Sequence, residues 1–218
     1  MKLDASAVRR FLGDPGRPGS LADRARTQRR ERLLATFPDI ERMTVLDMGG
    51  TAEYWQHARL TPADLTLLNL TDVSAPGVRM LVGDACDPPR EVYDRSYDLV
   101  LCNSVIDQVG GLARRRMLAA RIMELAPHYW VQAANRGFPV DAYFMFPWFS
   151  RLPVGARVAI VQRWRLTDMH TTDPNEARQR VLAIELQTRG DLRDLFPDAR
   201  VVTERFGGVA KSLIAVRA

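Results

Sequence analysis

The sequence predicts an α/β protein built on an open, mostly parallel sheet of seven strands with helices on both faces. Between residues 44 and 135, short apolar runs alternate with helix-like segments, which is typical of a parallel sheet with helical crossovers. The last two runs, 200–204 and 211–216, are joined only by a short loop at Gly207-Gly208. We therefore expect the final two strands to be antiparallel neighbours.

Composition and charge fit one globular domain, residues 1–218. The chain has 218 residues, 46% of them hydrophobic, which is enough for a sizeable core. The net charge of +5 comes almost entirely from arginine, because lysine occurs only at Lys2 and Lys211. Clusters such as Arg114-Arg115-Arg116 indicate a solvated helix face, with an anionic substrate or RNA as the alternative.

The cysteines and apolar runs suggest a cellular setting. Cys86 and Cys102 are the only cysteines and neither has a CxxC partner, which favours a reduced, cytoplasmic location. The sequence shows no charged-then-apolar leader at its start and no apolar run of about 18 residues. We expect no membrane association and no metal site, since His57, His128 and His170 are far apart in sequence.

The elements can be placed in order along the chain. Residues 1–40 form an arm with a Gly- and Pro-rich loop at 13–19, followed by a helix from a Ser20 cap to about Phe37. The first five strands are expected at 44–48, 65–70, 78–82, 97–103 and 128–133. The helices between them are expected at 52–59 and 112–125. Pro88-Pro89 argues against a helix interior at that point.

Residues 136–189 interrupt the alternation and are interpreted as a cap-like insertion. They begin with a dense group of aromatic residues and prolines between Phe138 and Phe149. Helices are expected at 154–165 and 174–188, the second with Asp173 as its cap and Pro174 at its first position. A short helix at 192–196 precedes the closing pair of strands.

The stretch from Thr44 to Trp55 is the first candidate for chemistry. An apolar strand reaches Asp47, turns on Gly49 and Gly50, and enters a helix. A strand, a tight turn and a helix in that order place backbone N–H groups and a helix N-terminus at one point. Two glycines allow a ligand to approach the backbone closely.

The ends of the next three strands also carry polar residues. Asn69 ends the second strand, Gly83-Asp84-Ala85 follows the third, and Asn103-Ser104 ends the fourth. In an open α/β sheet these carboxyl ends lie along one crevice, which is where ligands bind. The sequence therefore predicts a ligand site along this edge.

These motifs, in this order, resemble those of the class I S-adenosylmethionine-dependent methyltransferases. Residues 45–50 are similar to the first motif of that family, residues 83–85 to its adenine-binding motif, and residues 97–106 to its fourth motif. The segment from Glu204 to Val216 resembles its final hairpin, in which the last strand is antiparallel. The resemblance covers roughly residues 40–135 and 190–218, and it implies a Rossmann-like fold.

The resemblance also implies a cofactor and its contacts. S-adenosylmethionine is the implied cofactor, with Asp47 orienting the glycine turn and the cofactor's amino group. Asn69 would meet the ribose, where the family usually has an acid, and Asp84 would accept from the adenine amino group. Asn103 and Ser104 would lie near the methionine part. The full set of implied cofactor residues is Asp47, Gly49, Gly50, Thr51, Asn69, Leu70, Asp84, Ala85, Asn103 and Ser104.

The implied reaction is methyl transfer, most simply to an oxygen of a small molecule such as a sugar or secondary metabolite. An alcohol acceptor must lose a proton, and the candidate bases are Asp107, Asp141, Tyr143 and His170. Many members of the family have Glu-His where this chain has Asp107-Gln108. The residues leave open which group is the base, and whether the chain forms a homodimer.

Three alternatives remain open. An RNA methyltransferase is disfavoured because the arginines form no obvious stripe. A nicotinamide-dependent oxidoreductase is disfavoured because the complete GxGxxG is absent. A cofactor-binding protein without catalysis is kept open by the missing histidine.

Overall fold

The computed structural model describes residues 21–72 and 76–218, with side chains from residue 27 onward, and within these ranges the sheet has seven strands. The helices are α1 (Leu21–Thr36), α2 (Ala52–Ala58), α3 (Arg90–Tyr93), α4 (Leu112–Leu125), α5 (Val154–Val161), α6 (Pro174–Ala183) and α7 (Arg189–Leu195). The strands are β1 (Thr44–Met48), β2 (Asp64–Asn69), β3 (Arg79–Val82), β4 (Leu99–Asn103), β5 (His128–Ala134), β6 (Arg200–Phe206) and β7 (Val209–Arg217). Short 3₁₀ turns lie at Ile40–Arg42 and Phe149–Arg151.

The strand order is β3-β2-β1-β4-β5-β7-β6. Strands β1 to β5 pair in parallel, whereas β7 runs antiparallel to both of its neighbours, β5 and β6. The predicted fold class and the predicted antiparallel last strand are confirmed. Because the chain passes from β3 across to β4, the direction of strand addition reverses between β1 and β4, which is where an open sheet forms its ligand crevice.

Alternate residues of β1 face opposite sides of the sheet. Leu46 and Met48 belong to the main core, which α4 and α7 complete with residues such as Leu118 and Leu192. The Asp47 side chain points to the other side and contacts α2. Helices therefore cover both faces, as predicted, and Asp47 is the one charged residue of β1.

The prediction of a helix over 174–188 is wrong at its end, because α6 stops at Ala183. The amide of Glu185 donates to the carbonyl of Asp107 over 2.8 Å, and the amide of Gln187 donates to that of Ala134 over 3.1 Å. The backbone of 184–187 therefore bonds to the segment after β4 and to the last residue of β5 in place of a further helical turn. The predicted start of this helix is confirmed, because Oδ1 of Asp173 accepts from the amides of Asn175 and Glu176.

Two other helix predictions differ from the structure, and one short helix was not predicted. That helix, α3, begins directly after Pro89, which agrees with the prediction that Pro88-Pro89 is not in a helix interior. Helix α5 ends at Val161 and not at residue 165. Helix α7 begins at Arg189, earlier than predicted, because Thr188 and Asp191 form a reciprocal capping box.

The chain divides into two compact units. The sheet unit comprises residues 36–137 and 183–218, and the aromatic unit comprises residues 138–182 together with the described part of 21–35. The rings of Phe144 and Phe149 stack within the aromatic unit, with their centroids 4.2 Å apart. The aromatic unit coincides with most of the predicted insertion at 136–189. The description of this insertion as a cap stays a prediction. The predicted loop at 13–19 and the Ser20 cap lie outside the described residues.

Neither a membrane-spanning helix nor a cluster of metal-binding side chains occurs in the described ranges. No helix there is long and apolar enough to cross a membrane. No group of three or more His, Cys, Asp or Glu residues there is arranged to hold a metal ion.

Candidate functional site

The turn after β1 is made by two glycines that leave little room for a side chain. Gly49 has φ +81°, and a Cβ there would lie 2.2 Å from Cγ2 of Val105. A Cβ on Gly50 would lie 2.0 Å from Oδ2 of Asp47. Thr51 then caps α2, since its hydroxyl accepts from the amide of Tyr54 over 3.3 Å. Both glycines thus allow the backbone to pass close to the Asp47 carboxylate and the β4 loop.

Asp47 is a buried carboxylate that is only partly satisfied by the protein. The residue is 1% exposed, and its Oδ2 accepts from Nε1 of Trp55 over 2.8 Å. Its Oδ1 is buried and has no hydrogen-bond partner in the part of the chain that the structure describes. Burial raises the pKa of Asp47 to about 7, against the lowering effect of the Trp55 hydrogen bond. A cationic or hydrogen-bond-donating ligand would satisfy this oxygen.

The end of β2 is bonded to the same turn. Nδ2 of Asn69 donates to the carbonyl of Gly50 over 3.1 Å, and the amide of Gly49 donates to the carbonyl of Leu68 over 2.6 Å. Asn69 is half-buried, whereas the adjacent Leu70 is 71% exposed. The ends of β1 and β2 are therefore held together by backbone and amide contacts.

Asp84 follows β3 and carries two hydrogen bonds from the protein. Its Oδ1 accepts from the amide of Cys86 over 2.9 Å, and its Oδ2 forms an ion pair with Nη2 of Arg114 at 2.5 Å. Burial raises the pKa of Asp84, but the bonds from Arg114 and Cys86 outweigh it and hold the pKa below its usual value. Ala85 beside it is buried. Asp84 is thus an ionised hydrogen-bond acceptor, and the bonds from Cys86 and Arg114 fix the orientation of its carboxylate.

Asn103 and Ser104 end β4 on the other side of the switch point. Both amide atoms of Asn103, Oδ1 and Nδ2, are buried with no partner among the described residues. Ser104 has φ +59°, an uncommon conformation for a side-chain-bearing residue, and its hydroxyl donates to Oε1 of Gln132 over 2.8 Å. Strained backbone and unsatisfied polar atoms together are typical of functional positions.

The candidate bases lie in both units. Asp107, in the sheet unit, is fully buried, and its Oδ2 accepts from the amide of Ala134 over 2.8 Å. Asp141, in the aromatic unit, accepts with Oδ1 from the amides of Tyr143 and Phe144 over 2.9 and 3.0 Å. Burial raises the pKa of Asp141, although these backbone bonds lower it. Both carboxylates therefore accept from backbone amides, Asp107 from a distant residue and Asp141 from near neighbours.

Tyr143 and His170, the remaining candidates, are half-buried residues of the aromatic unit. The carbonyl of Tyr143 accepts from the hydroxyl of Thr167 over 2.6 Å, and the carbonyl of His170 accepts from Arg180 over 3.1 Å. These are main-chain contacts, so they leave the chemistry of the two side chains unspecified. The role of each of the four candidates as a base stays a prediction.

Three contacting residues were missed by the sequence analysis: Trp55, Arg114 and Gln132. Trp55 lies in the helix that directly follows Asp47 and the glycine turn. Because a buried tryptophan usually finds an acceptor for its N–H, the sequence could have indicated this contact. Arg114 is 30 residues from Asp84, and Gln132 is 28 residues from Ser104. Such distant pairs have no local sequence signal.

A cavity of about 710 Å³ lies along α2 and the starts of β2 and β3. Its lining includes Trp55, Asp64 and Arg79 but none of the ten predicted cofactor residues. We place the candidate site at the carboxyl ends of the strands nonetheless, because the unsatisfied buried atoms of Asp47 and Asn103 are there.

No protein-family model and no curated protein sequence matches this chain significantly. Among solved structures, the N-methyltransferase NodS from Bradyrhizobium japonicum WM9 in complex with S-adenosylhomocysteine is similar, with a TM-score of 0.55 at 12% identity over 97% of this chain and 96% of that one. Magnesium protoporphyrin IX methyltransferase from Synechocystis PCC 6803 has a TM-score of 0.54 at 13% identity over 99% of this chain and 100% of that one.

The chain has the class I methyltransferase fold. The dinucleotide-binding Rossmann sheet has the strand order 3-2-1-4-5-6, whereas here the antiparallel β7 lies between β5 and β6. This difference agrees with the methyltransferase assignment. A third solved structure, named as a putative zinc-dependent alcohol dehydrogenase from Rhodobacter sphaeroides, has a TM-score of 0.55 at 11% identity over 98% of each chain. The fold by itself therefore does not determine the reaction, which has to be inferred from the residues of the site.

Proposed function

We propose that this protein is an S-adenosylmethionine-dependent methyltransferase that binds its cofactor at the carboxyl ends of β1 to β4. The observation that carries the proposal is the pair of partly or wholly unsatisfied polar side chains, Asp47 and Asn103, on either side of the switch point. Buried polar atoms without partners are costly, so a ligand that bonds to them is the simplest explanation.

The residues fit S-adenosylmethionine group by group. The carboxylate of Asp47 suits the ammonium of the methionine part, and Gly49 and Gly50 allow close approach of the ligand to the backbone. The ionised Asp84 suits the amino group of adenine, and Asn69 suits a ribose hydroxyl. A cation beside Asp47 would favour its ionised form and lower its raised pKa.

When bound, S-adenosylmethionine would supply a methyl group on its sulfonium for in-line transfer to an acceptor, with S-adenosylhomocysteine as the leaving group. The part played by the chain is alignment and the exclusion of water. Asn103 and Ser104 would hold the methionine part. We further propose that the acceptor is an oxygen of a small molecule, either a sugar or a secondary metabolite, and that the aromatic unit recognises it through residues such as Tyr143 and Trp148.

A second candidate function is a cofactor-binding protein without catalysis. The carboxylates of Asp107 and Asp141 both hold backbone amides, so neither is favoured as a proton acceptor. Tyr143 and His170 then remain as candidate bases for an oxygen acceptor. If neither serves, the site would bind the cofactor and leave an alcohol acceptor unactivated.

Calorimetry with S-adenosylhomocysteine, NAD and a short RNA separates these functions. We expect S-adenosylhomocysteine to bind and NAD and RNA not to bind. Comparable affinity for NAD, or no binding of S-adenosylhomocysteine, would contradict the proposal. Transfer of labelled methyl groups to a panel of sugars and phenols then tests catalysis, and cofactor binding with no transfer to any acceptor in a cell extract would support the second candidate.

A further inference from the structure

Arg114 joins two loops of the candidate site. Its Nη2 bonds to Oδ2 of Asp84 at 2.5 Å, and its Nε donates to the carbonyl of Val109 over 2.7 Å. Asp84 follows β3, while Val109 lies in the loop between β4 and α4. One guanidinium therefore fixes the relative position of two strand-end loops that are not adjacent in sequence.

The same connection is repeated through the backbone of Arg114. Sγ of Cys86 donates to the Arg114 carbonyl over 3.4 Å, and the Cys86 amide donates to Oδ1 of Asp84 over 2.9 Å. Asp84, Cys86 and Arg114 thus form a closed ring of contacts. This ring sets the direction in which the remaining lone pairs of Asp84 can accept.

Asp84 keeps capacity for a further donor. A carboxylate offers about four lone-pair sites, and the protein uses one on each oxygen. The residue remains partly accessible, with 35% of its side chain exposed. An amino group can therefore bond to Asp84 while Arg114 stays in place.

We propose that Arg114 is a positioning residue for the cofactor: it orients the ionised Asp84 so that this carboxylate recognises the 6-amino group of the adenine ring. The inference rests on the proposed function, because it assumes an adenine-bearing ligand. Arg114 acts through Asp84 and does not touch the reacting atoms. Its planar guanidinium bonds to two acceptors in fixed directions, whereas a lysine ammonium on a flexible stem would hold them less rigidly.

Binding of two ligands tests the role of Arg114. S-adenosylhomocysteine carries the 6-amino donor, whereas S-inosylhomocysteine carries an oxygen there. For the wild-type protein, we expect the inosyl ligand to bind roughly tenfold to hundredfold more weakly, because its oxygen would face the Asp84 carboxylate in place of a donor and leave that charged group unpaired. For Arg114→Gln, we expect this ratio to fall below about threefold. Arg114→Lys should give an intermediate ratio, and it replaces the glutamine variant if that one does not fold.

Arg121→Gln is the matched control, because Arg121 lies on the same helix and forms an exposed ion pair with Glu124 over 2.8 Å. It should leave the ratio unchanged. A wild-type ratio near one, an unchanged ratio in both Arg114 variants, or tighter S-adenosylhomocysteine binding without Arg114 would each overturn the positioning role. No binding of S-adenosylhomocysteine by the wild-type protein would instead overturn the proposed function, and the positioning role with it.

Discussion

Asp47 and Asp84 are both acids at the carboxyl end of a parallel strand, yet their environments are opposite. Asp47 ends the apolar part of β1, between β2 and β4, and is 1% exposed. Asp84 follows β3, the edge strand, and 35% of its side chain is exposed. Burial raises the pKa of Asp47 to about 7, whereas the bonds from Arg114 and Cys86 lower the pKa of Asp84.

The position of each strand in the sheet explains this difference. A central strand is covered on both faces, so a carboxylate there loses its water and requires a partner to remain ionised. An acid beside an edge strand keeps some solvent and can meet a long side chain from a neighbouring helix. We therefore expect Asp47 to depend on the ligand for its charge, and Asp84 to be charged before the ligand arrives.

The largest effect on stability and cofactor affinity together should come from Gly50→Ala, which crowds Asp47 and does not alter Asp84. The new Cβ would lie 2.0 Å from Oδ2 of Asp47. We expect a loss of about 1–3 kcal/mol in the free energy of unfolding, as for other overpacked sites. Binding of S-adenosylhomocysteine should weaken at least tenfold. Denaturant unfolding and calorimetry measure the two effects.

Gly155→Ala is the control, because nothing lies within 4 Å of a Cβ at that helical position. It should leave stability unchanged or raise it slightly, since alanine favours a helix. Equal stability of the two variants would show that the Gly50 turn tolerates a side chain.

Asp47→Asn should change how stability depends on pH. The folded pKa of Asp47, about 7, lies above the value of 3.8 for an exposed carboxyl, so the folded state retains a proton that the unfolded state loses between these values. Stability contributed by the neutral form is complete below pH 4 and is lost as the pH rises to about 7, by at most about 4 kcal/mol. The difference in unfolding free energy between wild type and variant, measured from pH 4 to 8, should show this loss.

The pH dependence of ligand affinity tests the same ionisation of Asp47. The affinity of wild-type protein for S-adenosylhomocysteine should rise from pH 6 to 8 as Asp47 ionises beside the ligand ammonium, and the variant should lose that rise. A pH-independent affinity in the wild type would contradict the assigned environment of Asp47.

Asp84→Ala should weaken S-adenosylhomocysteine binding without unfolding the protein. A lost hydrogen bond is worth about 0.5–1.5 kcal/mol, which corresponds to a change of severalfold to tenfold in the dissociation constant. The lowered pKa of Asp84 gives the opposite pH dependence from Asp47: its stabilising effect is present above its unfolded pKa and is lost as the pH falls through the folded value. An unchanged dissociation constant would remove Asp84 from the site.

The smallest effect on cofactor affinity should come from Trp148→Ala, which alters the aromatic unit and neither of the two acids. Trp148 belongs to the aromatic unit and is 47% exposed, and the guanidinium of Arg151 lies over its ring, 4.4 Å from the ring centroid. We expect acceptor turnover to fall while the dissociation constant of S-adenosylhomocysteine changes less than twofold. A large drop in melting temperature or dissociation of an oligomer would instead assign Trp148 to packing.

The sequence alone determined the seven strands, the antiparallel last strand and the row of polar strand ends. These features depend on local patterns: an apolar run of strand length, a turn residue at its end, and a short glycine loop between the last two strands. Both glycines of that loop have positive φ, as a tight hairpin requires. The Asp173 cap could likewise be predicted from the sequence, because its hydrogen-bond partners lie within three residues.

The tertiary structure alone decided which of these polar residues are already satisfied. Asp47 and Asp84 look alike in sequence, and only the packed sheet reveals that one is buried beside Trp55 and the other paired with Arg114. The same holds for the end of α6, where bonds from Glu185 and Gln187 to distant carbonyls replace the helical pattern. Contacts between residues far apart in the chain depend on how the strands are ordered, and this is why a single sequence leaves them undetermined.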